Sequence, residues 1–353
     1  MIAIEFRNVV KTYPEFCLGP INMTVQQGEF FGIFGPPSSG KTSILKLILG
    51  LLQQDEGEIL LSARNAHEME VAERGIAMVF QNLALFPHMT GRENIIFPLV
   101  ERGASKSEIN RRLDFVSEVL HVSHILHKNP AQMSGGERQR IALGRAFAAE
   151  SQAMLLDEPL ASLDARLREE MRVELKRLQR ENNQTFVYVS HDEEEVLAIS
   201  DRLAVMIEGK IAQIGSPDEV YSRPSSLEVA KVIGSPPMNF FAGKISEDGR
   251  RFISERLDVE VPVSAKVGKD QTATLGIRPE DFWLTDNPDG LGLELQIISI
   301  EPLGGYTIIN ALMGNQIVKV RAPGQVNLTP GHAIRATIDL RRTHIFDASG
   351  QRI

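Results

Sequence analysis

Residues 35–42 read Gly-Pro-Pro-Ser-Ser-Gly-Lys-Thr. This octapeptide constrains the chain more than any other stretch, because it fits G-x-x-x-x-G-K-[ST], the pattern of a phosphate-binding loop. Gly35 and Gly40 let the backbone curl so that successive N–H groups point inward across Pro36, Pro37, Ser38 and Ser39. Lys41 then reaches the terminal phosphates, and the Thr42 hydroxyl is a ligand for Mg2+. The flanks agree: Glu29–Phe34 is an apolar run bounded by Gly28 and Gly35 that predicts a buried parallel strand, and Ser43–Leu49 predicts a helix whose start faces the anion. Two positions depart from the usual loop. Pro37 has no N–H to offer and Ser38 stands where a glycine is common, so one donor and some backbone freedom are lost; nucleotide binding is expected to survive both.

Composition narrows the class. Of 353 residues, 42% are hydrophobic and 24% charged, ordinary for a globular protein and enough for two or three domains. The longest near-continuous apolar stretch, residues 44–52, contains Lys46 and falls far short of the roughly 18 residues of a membrane span. The N-terminus lacks the basic start and apolar block of a secretion signal, so a cytoplasmic location is expected. The single cysteine, Cys17, excludes an internal disulfide and is expected to pack as a small hydrophobe. A net charge of -8 gives no electrostatic footprint for nucleic acid.

Ahead of the loop, Ile2, Ile4 and Phe6 alternate with Ala3, Glu5 and Arg7, which predicts a strand over 2–13 and a turn near Pro14. Tyr13 is either an ordinary packing residue or a flat ring on which an adenine can stack. Residues 57–62 and 76–80 read as further strands, the second delivering Gln81 to its carboxyl end, where ligands sit in open α/β sheets. From Met89 to about Ala149 the periodicity is helical. Thr90 and Glu93 form a capping box, Ile109, Leu113, Val116, Val119 and Leu120 make an apolar face, and Arg102, Arg111 and Arg112 read as the solvated side. Ser134, Gly135, Gly136 and Glu137 open another helix and make a second anion site by the same physics as the first. The apolar strand 153–156 ends in Asp157-Glu158-Pro159. Asp157 is placed to hold Mg2+ and Glu158 to orient and deprotonate a water, although a plain strand and turn has the same pattern. Ser162-Leu-Asp164 precedes a charged helix over 165–182. The strand 185–189 then delivers His191, in line with Gln81 and Asp157 and able to donate to a terminal phosphate. Glu193–Glu195 read as the acidic first turn of a helix and nothing more.

Taken in order and spacing, the loop, Gln81, Ser134-Gly-Gly-Glu137, Asp157-Glu158, Ser162-Leu-Asp164 and His191 resemble the ATP-binding subunit of an ABC transporter over roughly residues 1–235. The resemblance implies an α/β phosphate-loop ATPase domain with a helical subdomain at about 89–149. It also implies a head-to-tail pairing with a second ATPase subunit, identical or sister, in which each ATP lies between the loop of one and the Ser-Gly-Gly turn of the other. By that resemblance Tyr13 stacks on adenine, residues Gly35, Pro36, Pro37, Ser38, Ser39, Gly40, Lys41, Thr42 and Ser43 bind the phosphates, and Thr42, Gln81 and Asp157 attend Mg2+. Ser134, Gly135, Gly136 and Glu137 serve the other subunit's ATP, Glu158 is the general base, His191 and Lys41 meet the γ-phosphate, and Asp164 couples the two sites. The family more often has Leu at Met133 and Gln at Glu137, and Glu137 puts another carboxylate near phosphate.

Beyond Pro224 the pattern changes to short alternating strands with turns at Asp248-Gly, Asp289-Gly and Gly304-Gly, as expected of small β-barrels. Residues 236–353 are therefore expected to form an all-β, OB-like (TOBE) regulatory domain. Residues 234–239 and Gly276-Ile-Arg-Pro-Glu-Asp281 resemble the extension of importer ATPases that serve carbohydrate systems. One tryptophan and no basic-aromatic stripe argue against a nucleic-acid barrel. The expected activity is hydrolysis of ATP by a peripheral protein on the cytoplasmic membrane face. It powers import of a sugar or sugar derivative through two separate permease subunits served by a solute-binding protein. Import of a polyamine, iron or an oxyanion is the alternative within transporters, and a non-transport ABC ATPase the alternative outside them. A GTPase would need an Asn-Lys-x-Asp, which the chain lacks.

Overall fold

The computed structural model describes residues 1–254, 259–263, 271–284 and 291–353, and the chain divides into two compact units, Met1–Pro217 and Asp218–Ile353. The first contains β1 (Ile2–Tyr13), β2 (Phe16–Gln26), β3 (Phe30–Phe34), α1 (Lys41–Leu49), β4 (Glu56–Leu61), β5 (Arg64–Asn65), β6 (Ile76–Val79), α2 (Gly91–Glu101), α3 (Lys106–Val119), α4 (Gly135–Ala148), β7 (Ala153–Asp157), α5 (Ala165–Asn182), β8 (Thr185–Ser190), α6 (Glu193–Ile199), β9 (Arg202–Ile207) and β10 (Lys210–Gly215). Its central sheet runs β10-β9-β3-β8-β7-β6, parallel throughout except for β10. A parallel sheet covered on both faces needs strands without polar alternation, and β3, β7 and β8 are buried at every position.

One face of that sheet, with Phe31, Ile33, Leu155, Val187, Val189 and Met206, shares a core with α1 and with Phe6, Val9, Leu18, Ile21 and Val25 of an antiparallel sheet of order β2-β1-β4-β5. Alternate residues face the other way: Phe30 stacks on Phe186 at 5.0 Å, and Phe147 of α4 meets Phe186 edge-on at 6.5 Å. Three departures from the sequence reading stand out. The strand β2, interrupted in sequence by Gly19-Pro20, was not legible. Cys17 lies exposed on it rather than packed. Arg112 is not on a solvated face: it is half-buried, donates to the Phe147 carbonyl at 2.9 Å and pairs with Glu150 at 3.0 Å.

The second unit holds α7 (Pro217–Ser222), α8 (Leu227–Val232), β11 (Asn239–Ile245), β12 (Arg251–Ser254), β13 (Val259–Pro262), β14 (Thr272–Ile277), β15 (Phe282–Trp283), β16 (Leu291–Pro302), β17 (Tyr306–Met313), β18 (Gln316–Pro323), β19 (Ala333–Ile338) and β20 (His344–Phe346). Its strands form two antiparallel five-stranded sheets, β13-β12-β11-β14-β20 and β15-β19-β16-β17-β18. Period-two alternation sends Phe241, Leu293, Leu295, Ile309, Val318 and Val320 into one shared core. Turns occur at Asp248-Gly249 and Gly304-Gly305, whereas Asp289-Gly290 lies outside the described residues. The compact units divide at 217/218, ahead of the domain boundary expected at 235/236. The physical reason is that Ala230 of α8 is buried against Met238 and Phe346, and Arg278, 2% exposed, lies 3.7 Å over the Tyr221 ring and donates to the Ile233 carbonyl at 3.0 Å. Residues 218–235 therefore finish the β unit. Among the described residues, no helix is long and apolar enough to cross a membrane.

Candidate functional site

Parallel register brings four strand ends together: Phe34 lies beside Ser190, Asp157 beside Val189, and Val79 beside Leu156. The segments that follow, beginning at Gly35, Glu158, His191 and Phe80-Gln81, emerge at the carboxyl edge, the ligand-binding edge of such sheets. The loop at 35–42 is held by close approach. A Cβ on Gly35 would sit 2.2 Å from the Met206 carbonyl, and Gly40, at φ +97°, leads into α1 in a left-handed conformation. Ser38 also takes a left-handed φ of 62°, so the residue that replaces a common glycine adopts a glycine-like backbone at some cost in strain.

Lys41 is buried and folds back, its Nζ donating to the Gly35 and Pro36 carbonyls at 2.8 Å each. Burial lowers its pKa, opposed by the nearby Glu158 and Asp157 carboxylates. Two carbonyl oxygens are weak partners for an ammonium compared with phosphate oxygens. The Ser39 Oγ is buried without a protein partner, as suits a hydroxyl that donates to a phosphate oxygen. Thr42 Oγ1 donates to Asp157 Oδ1 at 3.2 Å. Asp157 is 3% exposed, and burial pushes its carboxyl pKa up; a bound cation would reverse that shift. No cluster of three or more His, Cys, Asp or Glu side chains able to hold a metal occurs among the described residues. The Thr42–Asp157 pair instead fits a cation that takes its remaining oxygens from nucleotide and water, as Mg2+ does.

Glu158 stands in a left-handed conformation, φ 49°, with its N–H donating to the Val189 carbonyl at 2.9 Å. Its Oε2 accepts from Gln81 Nε2 at 3.1 Å and its Oε1 lies 2.8 Å from His191 Nδ1. A strained backbone and two side-chain partners thus fix one carboxylate at the sheet edge. The Tyr13 hydroxyl donates to Ser43 Oγ at 3.1 Å, which anchors the ring at the start of α1. The residues read from sequence as Lys41, Thr42, Gln81, Asp157, Glu158 and His191 are brought into one place.

Comparison with known proteins accords with this arrangement. The pattern described as ABC transporter matches residues 18–161, that of the MalK OB fold domain 234–282, and that of the TOBE domain 275–346. The sulfoquinovosyl glycerol transport ATP-binding protein of Agrobacterium fabrum is 36% identical, the match covering 100% of this chain and 99% of that protein. The sn-glycerol-3-phosphate import ATP-binding protein of Vibrio vulnificus is 40% identical over 99% of this chain and 95% of that protein. The chain belongs to the ATP-binding proteins of ABC transporters. Among solved structures, a dimeric ATP-binding cassette in a post-hydrolysis state with ADP and Pi aligns with a TM-score of 0.57 at 30% identity, covering 61% of this chain and 98% of that one.

This ABC ATP-binding protein binds and hydrolyses ATP as the energy-supplying subunit of a transporter, and it acts with membrane-embedded subunits. Its Ser134 turn forms a separate cluster. The Ser134 Oγ accepts from the Glu137 N–H at 3.2 Å, the Glu137 carboxylate accepts from the Ser134 N–H at 2.6 Å, and Lys128 Nζ donates to Glu137 at 2.8 Å. The Lys128 and Ser134 donors lower the Glu137 pKa to about 2. The added carboxylate is therefore engaged in closing a cap and an ion pair. Asp164 is the N-cap of α5, accepting from the Leu167 N–H at 2.9 Å. Two residues escaped the sequence reading. Gln139, 1% exposed, donates to the Pro159 carbonyl and accepts from the Ser162 N–H at 3.2 Å, tying α4 to the Asp-Glu-Pro turn. Glu195, 4% exposed, is far more than an acidic first turn: it accepts from the Tyr188 hydroxyl at 2.8 Å and the Ser190 hydroxyl at 2.9 Å. A polar residue on the apolar stripe of its helix was the available signal in both cases.

Proposed function

We propose that this chain hydrolyses ATP at the carboxyl edge of its parallel sheet, with Glu158 as general base, to power import of a sugar derivative. The observation that carries the reading is the pinned Glu158 carboxylate, held between Gln81 and His191 beside the Thr42–Asp157 pair. On binding, the phosphate oxygens of ATP replace the Gly35 and Pro36 carbonyls as partners of Lys41. Thr42, Asp157 and Gln81 would hold Mg2+, which supplies charge neutralisation at the phosphates when bound. Glu158 orients a water in line with the γ-phosphate and takes its proton as the new P–O bond forms and the bond to the β-phosphate oxygen breaks. Lys41 and His191 stabilise the charge on the transferred group, releasing ADP and phosphate. Tyr13 stacks on the adenine.

The Ser134–Glu137 turn serves the ATP of a second ATP-binding subunit, the helix start donating N–H groups to phosphate, and Asp164 couples the two sites. The pair sits on the cytoplasmic face of the membrane against two permease subunits, with a solute-binding protein delivering cargo. The relatives' cargoes, sulfoquinovosyl glycerol and sn-glycerol-3-phosphate, are both anionic glycerol derivatives, and they support that class here. The test is Glu158→Gln: ATP binding should persist while turnover falls by at least about a hundredfold, and unchanged turnover would remove Glu158 from the role. For the cargo, reconstituted transporter should show ATPase stimulation by an anionic glycerol derivative and its binding protein. Stimulation by a polyamine instead would overturn the class.

A further inference from the structure

We propose that Arg145, on α4, is a positioning residue for hydrolysis: it holds the loop behind Gln81 in the shape that sets Gln81 against Glu158. The inference rests on the ATPase reading above. Between Gln81 and Phe86 the chain has no regular structure, and two consecutive non-glycine residues take left-handed backbone, Leu83 at φ 63° and Ala84 at φ 44°. Such a pair is unfavourable for side-chain-bearing residues and persists only where the surroundings hold it. The turn's own backbone bonds satisfy its N–H groups, Leu83 donating to the Phe80 carbonyl and Ala84 to the Asn82 carbonyl at 2.8 Å each, and Arg145 takes the two carbonyls. Its Nη1 donates to the Ala84 carbonyl at 2.8 Å and its Nη2 to the Leu83 carbonyl at 3.0 Å. The guanidinium also lies over the Phe86 ring, 5.4 Å from its centroid, and Phe86 packs on Phe97 at 4.6 Å. A planar fork with two parallel donors and a flat face fits two successive carbonyls and a ring; an ammonium does not.

Downstream the same segment is fixed by a different residue. Buried Asn94 accepts from the Phe86 N–H at 2.9 Å and donates to the Phe86, Met89 and Thr90 carbonyls at 3.2, 3.1 and 3.0 Å. In the half nearest Gln81 the side chain that grips the backbone is Arg145, added to the turn's own two hydrogen bonds. The same helix reaches the other side of the contact as well, because Gln139 of α4 holds the Pro159 carbonyl and the Ser162 N–H. Helix α4 thus grips both partners of the Gln81–Glu158 hydrogen bond, and its first residues follow Ser134. A movement of the Ser134 turn when a second subunit docks would reach Gln81 through Arg145 and Glu158 through Gln139.

The experiment uses the full-length chain with Arg145→Met, which keeps the apolar stem, and Arg145→Lys, which keeps the charge. Amide exchange at Leu83, Ala84 and Phe86, steady-state ATPase kinetics and thermal melting are measured together. In Arg145→Met, exchange at the Leu83 and Ala84 amides should rise about tenfold or more while the Phe86 amide, held by Asn94, stays protected, and kcat should fall about tenfold with KM for ATP within about twofold. Arg145→Lys should lie between, with melting close to wild type. Unchanged exchange, or faster exchange with kcat intact, overturns the proposal, as does a kcat loss matched by collapse of melting in both variants. Turnover that survives Glu158→Gln would strike the assignment of Glu158 instead, leaving amide exchange to decide the grip of Arg145.

Discussion

Glu195 occupies a helix first turn, where the helix dipole alone would justify a carboxylate, yet it is a buried acceptor for two hydroxyls. Burial and the neighbouring Glu195 charge raise the Tyr188 pKa well above its ordinary value, so Tyr188 stays a donor at any working pH. Removing the acceptor strands both hydroxyls inside the protein, at about 1–3 kcal/mol for each unsatisfied group. Glu195→Ala should accordingly lower stability by about 2–4 kcal/mol, while Glu195→Gln, which retains an acceptor, should lose about 1 kcal/mol. The check is selective. The only tryptophan, Trp283, lies in the second unit, so its fluorescence transition should stay in place while the helical circular dichroism transition shifts. Glu137 makes a second case of a carboxylate defined by its partners. Glu137→Ala opens the Ser134 cap and should cost about 1 kcal/mol, whereas Glu137→Gln keeps an acceptor for the Ser134 N–H. An equal loss in both variants, by denaturant melting, would show that the Lys128 ion pair and not the cap holds the turn.

At the scale of elements, the strand β20 carries a pH dependence of its own. His344 pairs with Gly276 of β14 and is 6% exposed. Burial, reinforced by the Arg352 and Arg278 charges, lowers its pKa from 6.5 to about 4. The folded form prefers the neutral ring, so between pH 6.5 and about 4 the unfolded chain binds more protons. The stability of the neutral ring is fully present above 6.5 and is lost as pH falls toward 4, by up to about 3 kcal/mol. Trp283 fluorescence in urea should show this acid loss in wild type and not in His344→Gln; parallel curves would refute it. Elements were legible where their logic is local. The loop, the strands that deliver Asp157 and His191, and the Thr90 and Ser134 caps were readable because a short stretch sets each one. Strand β2 was not, since Gly19-Pro20 breaks its alternation and its register against β1 shifts between Phe6 and Val9 and again between Val9 and Lys11. Gln139 and Arg145 act through partners 20 to 62 residues away in sequence, a distance at which pattern names no contact, and Glu195 acts through two hydroxyls of the preceding strand that its place in an acidic first turn hides.

At the scale of the whole molecule, the change from helical to alternating pattern marks a composition shift, while the compact units divide earlier, at 217/218. Residues 218–235 are short helices with loops, so they read as the tail of the α/β unit. Their contacts belong to the β unit: α8 buries Val229 and Ala230, the Leu227 N–H donates to the Gly350 carbonyl at 2.7 Å, and Arg278 closes over Tyr221 and the Ile233 carbonyl. The motif Gly276-Ile-Arg-Pro-Glu-Asp281 thereby acquires a mechanical role, since its arginine is buried against this segment and its Asp281 pairs with Arg342 at 3.2 Å. Two cuts then give opposite outcomes. A fragment of residues 218–353 keeps every partner of Arg278 and should unfold cooperatively. A fragment of residues 236–353 leaves the guanidinium without the Tyr221 ring and without the Tyr221 and Ile233 carbonyls to which it donates, and should be destabilised by about 3 kcal/mol or more. Conversely, residues 1–217 should bind ATP as a monodisperse fragment, while residues 1–235 carry the apolar side of α8 with nothing to cover it and should self-associate. Light scattering of the two fragments that begin at residue 1, and Trp283-monitored urea unfolding of the two β fragments, decide the matter. Equal stability of the two β fragments would return the boundary to 235/236 and reduce α8 to a linker.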